Sequence, residues 1–379
     1  MSARLPLPRL FATHPIRRFL NINFFFIGLI ILWASIGIAM LYSAAGQSFT
    51  PWAERQLIYL AAGLIIMIIL ALTRPEFWLY YAYYFYGFAL LLLLAVEFMG
   101  TAGMGAKRWL DLGLFNMQPS ELMKPALVLA LARYYQKLPL RQVERIYSLF
   151  IPIILIMLPV ALVIRQPDLG TGLLLLIGGV MVLFLTGVRL WKFITIGVMG
   201  LISMPFSWFY LLHDYQKQRI LTFLNPESDP LGAGYHILQS KIALGAGGLT
   251  GRGFGAGTQS QNKFLPEKHT DFIFTMLGEE FGLRGTYGLL ILFMVILLVG
   301  SYLSFRAIDP FNRLIGFGMI NNFMLYVIIN IAMVTGLAPV VGLPLPLISY
   351  GGSATISVMA SFGLILMVGL HRDQQIKTE

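Results

Sequence analysis

From residue 24 to residue 370 the chain is a succession of continuous apolar runs separated by short polar intervals. Ten runs have helical length: 24–44, 56–73, 77–99, 119–135, 148–164, 169–188, 193–212, 286–305, 314–337 and 353–370. A helix needs about 20 apolar residues to cross a hydrocarbon core of about 30 Å. A lipid-facing strand would instead alternate apolar and polar positions, so the pattern predicts helices and not a barrel. The expected fold is all-α, a polytopic integral membrane protein of about ten transmembrane helices in one membrane domain spanning 1–379. Its parts are an arm at 1–23, helices one to seven within 24–212, one large polar loop at 213–285, helices eight to ten within 286–370, and a tail at 371–379. The other polar intervals of interest, 100–118, 165–168 and 338–352, fall on the same side as the large loop.

Composition agrees, with 58% hydrophobic and 12% charged residues and a mean hydropathy of +0.76. The net charge of +10 is unevenly placed. If the N-terminus and alternate loops share one side, that side carries fifteen Lys and Arg against five acids, while twelve of each sign cancel on the other. The excess of bases marks the cytoplasm, so both termini are expected there and the large loop outside. Charge is thereby accounted for by topology, with no case for nucleic acid. The first run is too long for the core of a cleavable signal, and the tyrosines at 80, 81, 83, 84 and 86 suit a membrane interface. No cysteine is present, which excludes disulfides, thiolate metal sites and a cysteine nucleophile.

The large loop has its own pattern. Residues 235–244 set apolar positions against His236, Gln239, Ser240 and Lys241, as in a short amphipathic helix on the membrane surface. A glycine-rich stretch follows at 245–257, suited to tight turns and to close backbone approach to a ligand. An unbroken helix over 271–305 would run about 52 Å, so a break is expected near 282–285. Asp271 then lies at the start of a short helix. Its carboxylate beside Phe272, Ile273 and Phe274 is a candidate general base, and helix capping by Thr270 or Asp271 is the plain alternative. Glu121 and Lys124 share a face one turn into the fourth run, either as a cavity pair or as an interfacial salt bridge. Lys107, Arg108, Trp109 and Asp111, with Arg165 and Asp168, could hold a phosphorylated headgroup and its sugar or serve as loop anchors. The stretch from Leu343 through Ser349 to Ser353 is a proline-rigid entry into a glycine turn, or a helix start capped by Ser353.

Five segments then occur in order: Arg108-Trp-Leu-Asp-Leu-Gly, Gln118-Pro-Ser-Glu-Leu-Met-Lys-Pro, Gln166-Pro-Asp-Leu-Gly-Thr-Gly, Phe264-Leu-Pro-Glu-Lys-His-Thr-Asp-Phe-Ile-Phe and Gly342-Leu-Pro-Leu-Pro-Leu-Ile-Ser-Tyr-Gly-Gly-Ser. The series resembles the SEDS family of shape, elongation, division and sporulation proteins over nearly the whole chain. The stretches 229–243 and 257–261 are closer to its elongation members than to its division members. The resemblance implies a peptidoglycan glycosyltransferase that polymerises lipid II at the outer face of the bacterial cytoplasmic membrane during elongation. It implies Asp271 as the essential carboxylate, Glu121 and Lys124 as the pair shaping the cavity, and Arg108, Trp109, Asp168, Lys241, Ser349 and Ser353 as substrate-binding. Lys124, Arg108 or a divalent cation, Mg2+ or Mn2+, would stabilise the departing diphosphate. Implied partners besides lipid II are a class B penicillin-binding protein, other elongation-complex proteins and membrane lipids. A lipid II flippase, a non-enzymatic scaffold and a division-type member are the alternatives.

Overall fold

The computed structural model describes residues 19–103, 106–111, 113, 116–143, 145, 147–210, 214–225, 232–261 and 267–376. The terminal bases before residue 19, Lys377, and the motif residues 112, 229–231 and 263–266 lie outside the described residues. Helices form at each expected run: α1 (Phe24–Ala44), α2 (Trp52–Ala71), α3 (Pro75–Met99), α4 (Pro119–Gln136), α5 (Phe150–Arg165), α6 (Leu169–Leu185) and α7 (Leu190–Tyr210). The large loop contributes α8 (Asp214–Leu224) and α9 (Ala233–Gly247), and α10 (Ile273–Phe305), α11 (Pro310–Val334) and α12 (Gly352–Leu370) complete the chain. Seven of these, among the described residues, are long and apolar enough to cross a membrane. Of the remaining three expected spans, α6 is shorter, α7 is apolar at least over Leu190–Ser203, and α4 carries Glu121, Lys124 and Arg133.

Several boundaries move for identifiable reasons. α11 starts four residues before the apolar run because the Asp309 carboxylate accepts from Phe311 N (3.0 Å) and Asn312 N (3.3 Å), with Pro310 in the first turn. α3 likewise starts at a proline, Pro75. α12 begins at Gly352 with Gly351 at its cap, so Ser353 lies inside the first turn and is not the capping residue. The interval after α3 is not a plain loop. β1 (Thr101–Gly103), β2 (Ala106–Asp111) and β3 (Asn116–Met117) form a small antiparallel sheet with β2 in the centre.

α9 differs from the expected surface helix in what it covers. It packs along α10 and beside α11, and Ser240 Oγ lies 2.6 Å from Thr275 Oγ1 and donates to Val334 O at 2.7 Å. Ile237 and Ala243 are thereby buried against protein, while Ile242 stays exposed.

α10 breaks where expected, and the break explains the glycines. Gly282 has φ 64° and ψ −158°, which interrupts the helix after Phe281. In a continuous helix Leu283 N and Arg284 N would donate to the carbonyls of Glu279 and Glu280. They donate instead to Gly248 O (2.9 Å) and Leu249 O (3.2 Å), and the two vacated carbonyls accept from Arg252 N and Gly253 N, both at 3.0 Å. Two lost helical bonds are replaced by four from the stretch 248–253. The close approach permitted by the glycines is to the broken helix, where a Cβ on Gly251 or Gly282 would collide with the opposing backbone. Glu279, fully buried, accepts from Gln259 N (2.7 Å) and Ser260 N (2.9 Å) and so fixes the next turn of the same loop.

Candidate active site

The segment 267–272 is a series of turns in which Thr270 N donates to Glu267 O. The cap position of α10 is Phe272, which leaves Asp271 one residue before it and half-buried at the mouth of the bundle. Three successive carbonyls of this segment are held from outside it. His269 O accepts from Tyr350 N (2.9 Å), Thr270 O from Ser349 Oγ (2.5 Å), and Asp271 O from Asn330 Nδ2 (2.9 Å).

The holders are themselves anchored by separate helices. Trp33 Nε1 on α1 donates to Pro346 O (2.7 Å), Gln56 on α2 accepts from Gly351 N (3.2 Å), and Asn330 on α11 donates to Leu343 O (2.6 Å). Gly342, at φ 72°, lies beside the carboxylate, since a Cβ there would be 3.5 Å from Asp271 Oδ2. The main chain is clamped while open space is kept next to the carboxylate. On another side His269 stacks on Trp52, with ring centroids 4.3 Å apart and planes 8° from parallel. Burial pulls the His269 imidazole below its usual pKa and Lys268 adds to this, against the opposing pull of Glu267.

Glu121 and Lys124 are both buried and bonded to each other at 2.6 Å. Tyr326 joins them: its hydroxyl reaches the carboxylate oxygens of Glu121 at 2.5 and 2.7 Å and also contacts Lys124 Nζ. Ser357 Oγ donates to Glu121 O (2.7 Å) and Ser361 Oγ to Ser357 O (2.9 Å). Tyr326 lines a small cavity under the loop at 344–351 and a second one bordered by Lys124, Asn322, Ser357 and Ser361. Beyond Ser361 the rings of Phe26, Phe323 and Phe362 pack edge to face at 5.6 and 5.1 Å. Tyr326 and Asn330 are one turn apart on α11, about 6 Å along its axis. The Glu121–Lys124 pair and the Asp271 main chain are therefore fastened to neighbouring turns of one helix.

The remaining sequence candidates gather elsewhere. Asp168 caps α6, accepting from Thr171 N (3.2 Å) and Thr171 Oγ1 (3.0 Å), and also accepts from Gln118 Nε2 (3.1 Å) at the start of α4. Arg108 on β2 approaches Asp168 at 3.9 Å and donates to the carbonyls of Gln166 and Pro167. Trp109 is half-buried on the same strand. Lys241 lies against Gly336, just past the C-terminus of α11, where a cation is favoured by the helix dipole. Ser349 is buried and holds Leu345 N and Thr270 O, so its hydroxyl has a structural partner on each side. Tyr326, Asn330, Gln56 and Gln118 were not singled out by the sequence reading. A tyrosine and three asparagines inside the ninth apolar run were the available signal, since polar groups within a membrane helix rarely lack a task.

With this geometry in hand, the family model of the FtsW/RodA/SpoVE cell cycle proteins matches residues 16–374. The chain belongs to this family. Among its FtsW/RodA/SpoVE relatives is the peptidoglycan glycosyltransferase MrdB of Escherichia coli K12, 45% identical over 342 residues, covering 89% of this chain and 91% of the relative. Stage V sporulation protein E of Bacillus subtilis is 36% identical over 356 residues, covering 90% and 95%. Among solved structures, one of a peptidoglycan synthase complex superposes with a TM-score of 0.82 at 32% identity, covering 94% of this chain and 99% of that one. The crystal structure of the rod shape determining protein RodA of Thermus thermophilus gives 0.71 at 29% identity with the same coverage. These family members share the polytopic helical architecture found here.

Proposed function

We propose that this chain is a peptidoglycan glycosyltransferase of the elongation type, polymerising lipid II into glycan strands with Asp271 as general base. The observation that carries this reading is the mount of Asp271: three consecutive carbonyls clamped from α11 and the loop at 343–351, with a glycine keeping space beside the carboxylate. The likeness to an enzyme named peptidoglycan glycosyltransferase over most of both chains supports it, and division-type relatives match at lower identity, 36–37%.

The reaction follows from the groups involved. A sugar hydroxyl of one lipid II attacks the anomeric carbon of the growing strand, Asp271 takes its proton, and the bond to the polyprenyl diphosphate breaks with inversion. One carboxylate suffices because a diphosphate leaves without being protonated by a paired acid. Lys124 is committed to Glu121 and Tyr326, and Arg108 to Asp168 and two carbonyls. Among the described residues no three His, Asp or Glu side chains converge. A divalent cation, Mg2+ or Mn2+, would here be held largely through the substrate's own phosphate oxygens and would neutralise the leaving group.

The excess of bases on one set of loops supports a topology with both termini in the cytoplasm and the Asp271 end of the bundle outside, where lipid II would be consumed. A class B penicillin-binding protein over the loop at 213–285 is the corresponding partner. The test is glycan polymerisation from purified lipid II by wild type and Asp271→Asn, each with and without the penicillin-binding partner. Loss of polymer with folding and partner binding intact is the expected result. Unchanged polymer from the variant removes Asp271 from the chemistry.

A further inference from the structure

We infer that Asn330 is a positioning residue for Asp271, an assignment that rests on Asp271 being the base. Asn330 is fully buried on α11, and its Nδ2 donates to Asp271 O at 2.9 Å and to Leu343 O at 2.6 Å. A primary amide has two N–H groups, so both are used. Its Oδ1 has no partner among the described residues. The orientation of the amide is set by chemistry, since a flip would turn its oxygen onto two carbonyls.

The two acceptors belong to the two segments that meet at the carboxylate. One is the catalytic residue's own peptide, and the other belongs to the residue after Gly342, where a Cβ would lie 3.5 Å from Asp271 Oδ2. A single side chain on a membrane helix therefore fixes the distance between the base and the turn that borders it. Asn330 touches neither reacting atoms nor, by its position, the substrate. It acts through Asp271. A buried asparagine in a membrane helix is retained against a cost in stability relative to an apolar residue, which is consistent with a task of this kind.

Small displacements of a catalytic group weaken the chemical step more than substrate binding. Asn330→Leu keeps the volume and removes both donors. In lipid II polymerisation by the full-length protein with its penicillin-binding partner, normalised to folded protein, kcat is expected to fall by about 10–100-fold. KM for lipid II should change by less than about twofold. Asn330→His, whose Nδ1–H sits close to the position of the lost amide nitrogen, is expected to recover part of the rate. A purely structural role predicts a lower folded fraction with normal kcat per folded molecule. A folded Asn330→Leu protein with wild-type kcat, or a loss confined to KM, overturns the assignment. If the leucine variant does not fold, Asn330→Ser is judged by the same two criteria. Asp271→Asn is run alongside: if it polymerises normally the base itself is wrong, whereas an inactive Asp271→Asn beside a fully active Asn330→Leu removes only the role of Asn330.

Discussion

The Tyr326 hydroxyl lies within 2.7 Å of both carboxylate oxygens of Glu121, although 205 residues separate the two in the chain. The contact ties α4 to α11 inside the bundle and shares the Glu121 carboxylate between a phenol and the Lys124 ammonium. A buried charge pair without further hydrogen bonds barely repays its desolvation, so the third group matters. Tyr326→Phe is expected to destabilise by about 1–3 kcal/mol, as for a buried acceptor deprived of its donor. Thermal melting in detergent, with lipid II polymerisation measured below the transition, checks this.

Removing one charge of the pair should be worse than removing both. Lys124→Met leaves a buried carboxylate and is expected to cost about 3–5 kcal/mol, while Glu121→Leu combined with Lys124→Met costs less than either alone. The observable is the order of the melting temperatures. If the double variant melts lowest, the pair is held by something other than mutual compensation.

At the break in α10, Gly282→Ala meets two penalties. The residue has φ 64°, and a Cβ would strike Gly251 N. The strain alone is of the order of 1–3 kcal/mol. Expected is a clear loss of folded protein, whereas Gly288→Ala, at a helical position with open space around it, leaves the melting temperature unchanged or slightly raised.

His269 gives a pH signature. Its folded pKa lies below the unfolded value of 6.5, so the unfolded chain binds this proton more readily. Its contribution to stability is present above pH 6.5 and declines as pH falls through 6.5 toward the folded pKa. His269→Phe keeps a ring against Trp52 and removes the proton. Melting temperatures of the two proteins should converge with falling pH, and a constant difference would show that the imidazole does not titrate in this range.

Much of the architecture was readable because a membrane leaves few options. Continuous apolar runs place α1 to α7, α11 and α12 to within a few residues, and the excessive length of 271–305 announces the break at Gly282. What could not be read was pairing. Periodicity does not say that residues 248–253 bond to the broken helix, nor that Arg108 and Asp168 meet each other. The sheet at Thr101–Met117 escaped because its strands are too short to alternate visibly. The motif singles out Asp271 as a candidate, but the groups that hold its main chain and that of Thr270, Asn330 and Ser349, come from 59 and 79 residues away.

The joint in α10 separates two jobs that one straight rod would have to combine. Below Gly282 the helix answers to the bilayer, while above it the direction of the Ile273–Phe281 portion is dictated by four bonds from the stretch 248–253. The packing of that short outer portion is thus set from the glycine-rich passage, while Asp271, ahead of it, is held by α11 and the loop at 343–351. Lengthening that passage by one residue would shift the Ile273–Phe281 portion against the membrane-spanning part and leave in place the groups that hold the Asp271 main chain.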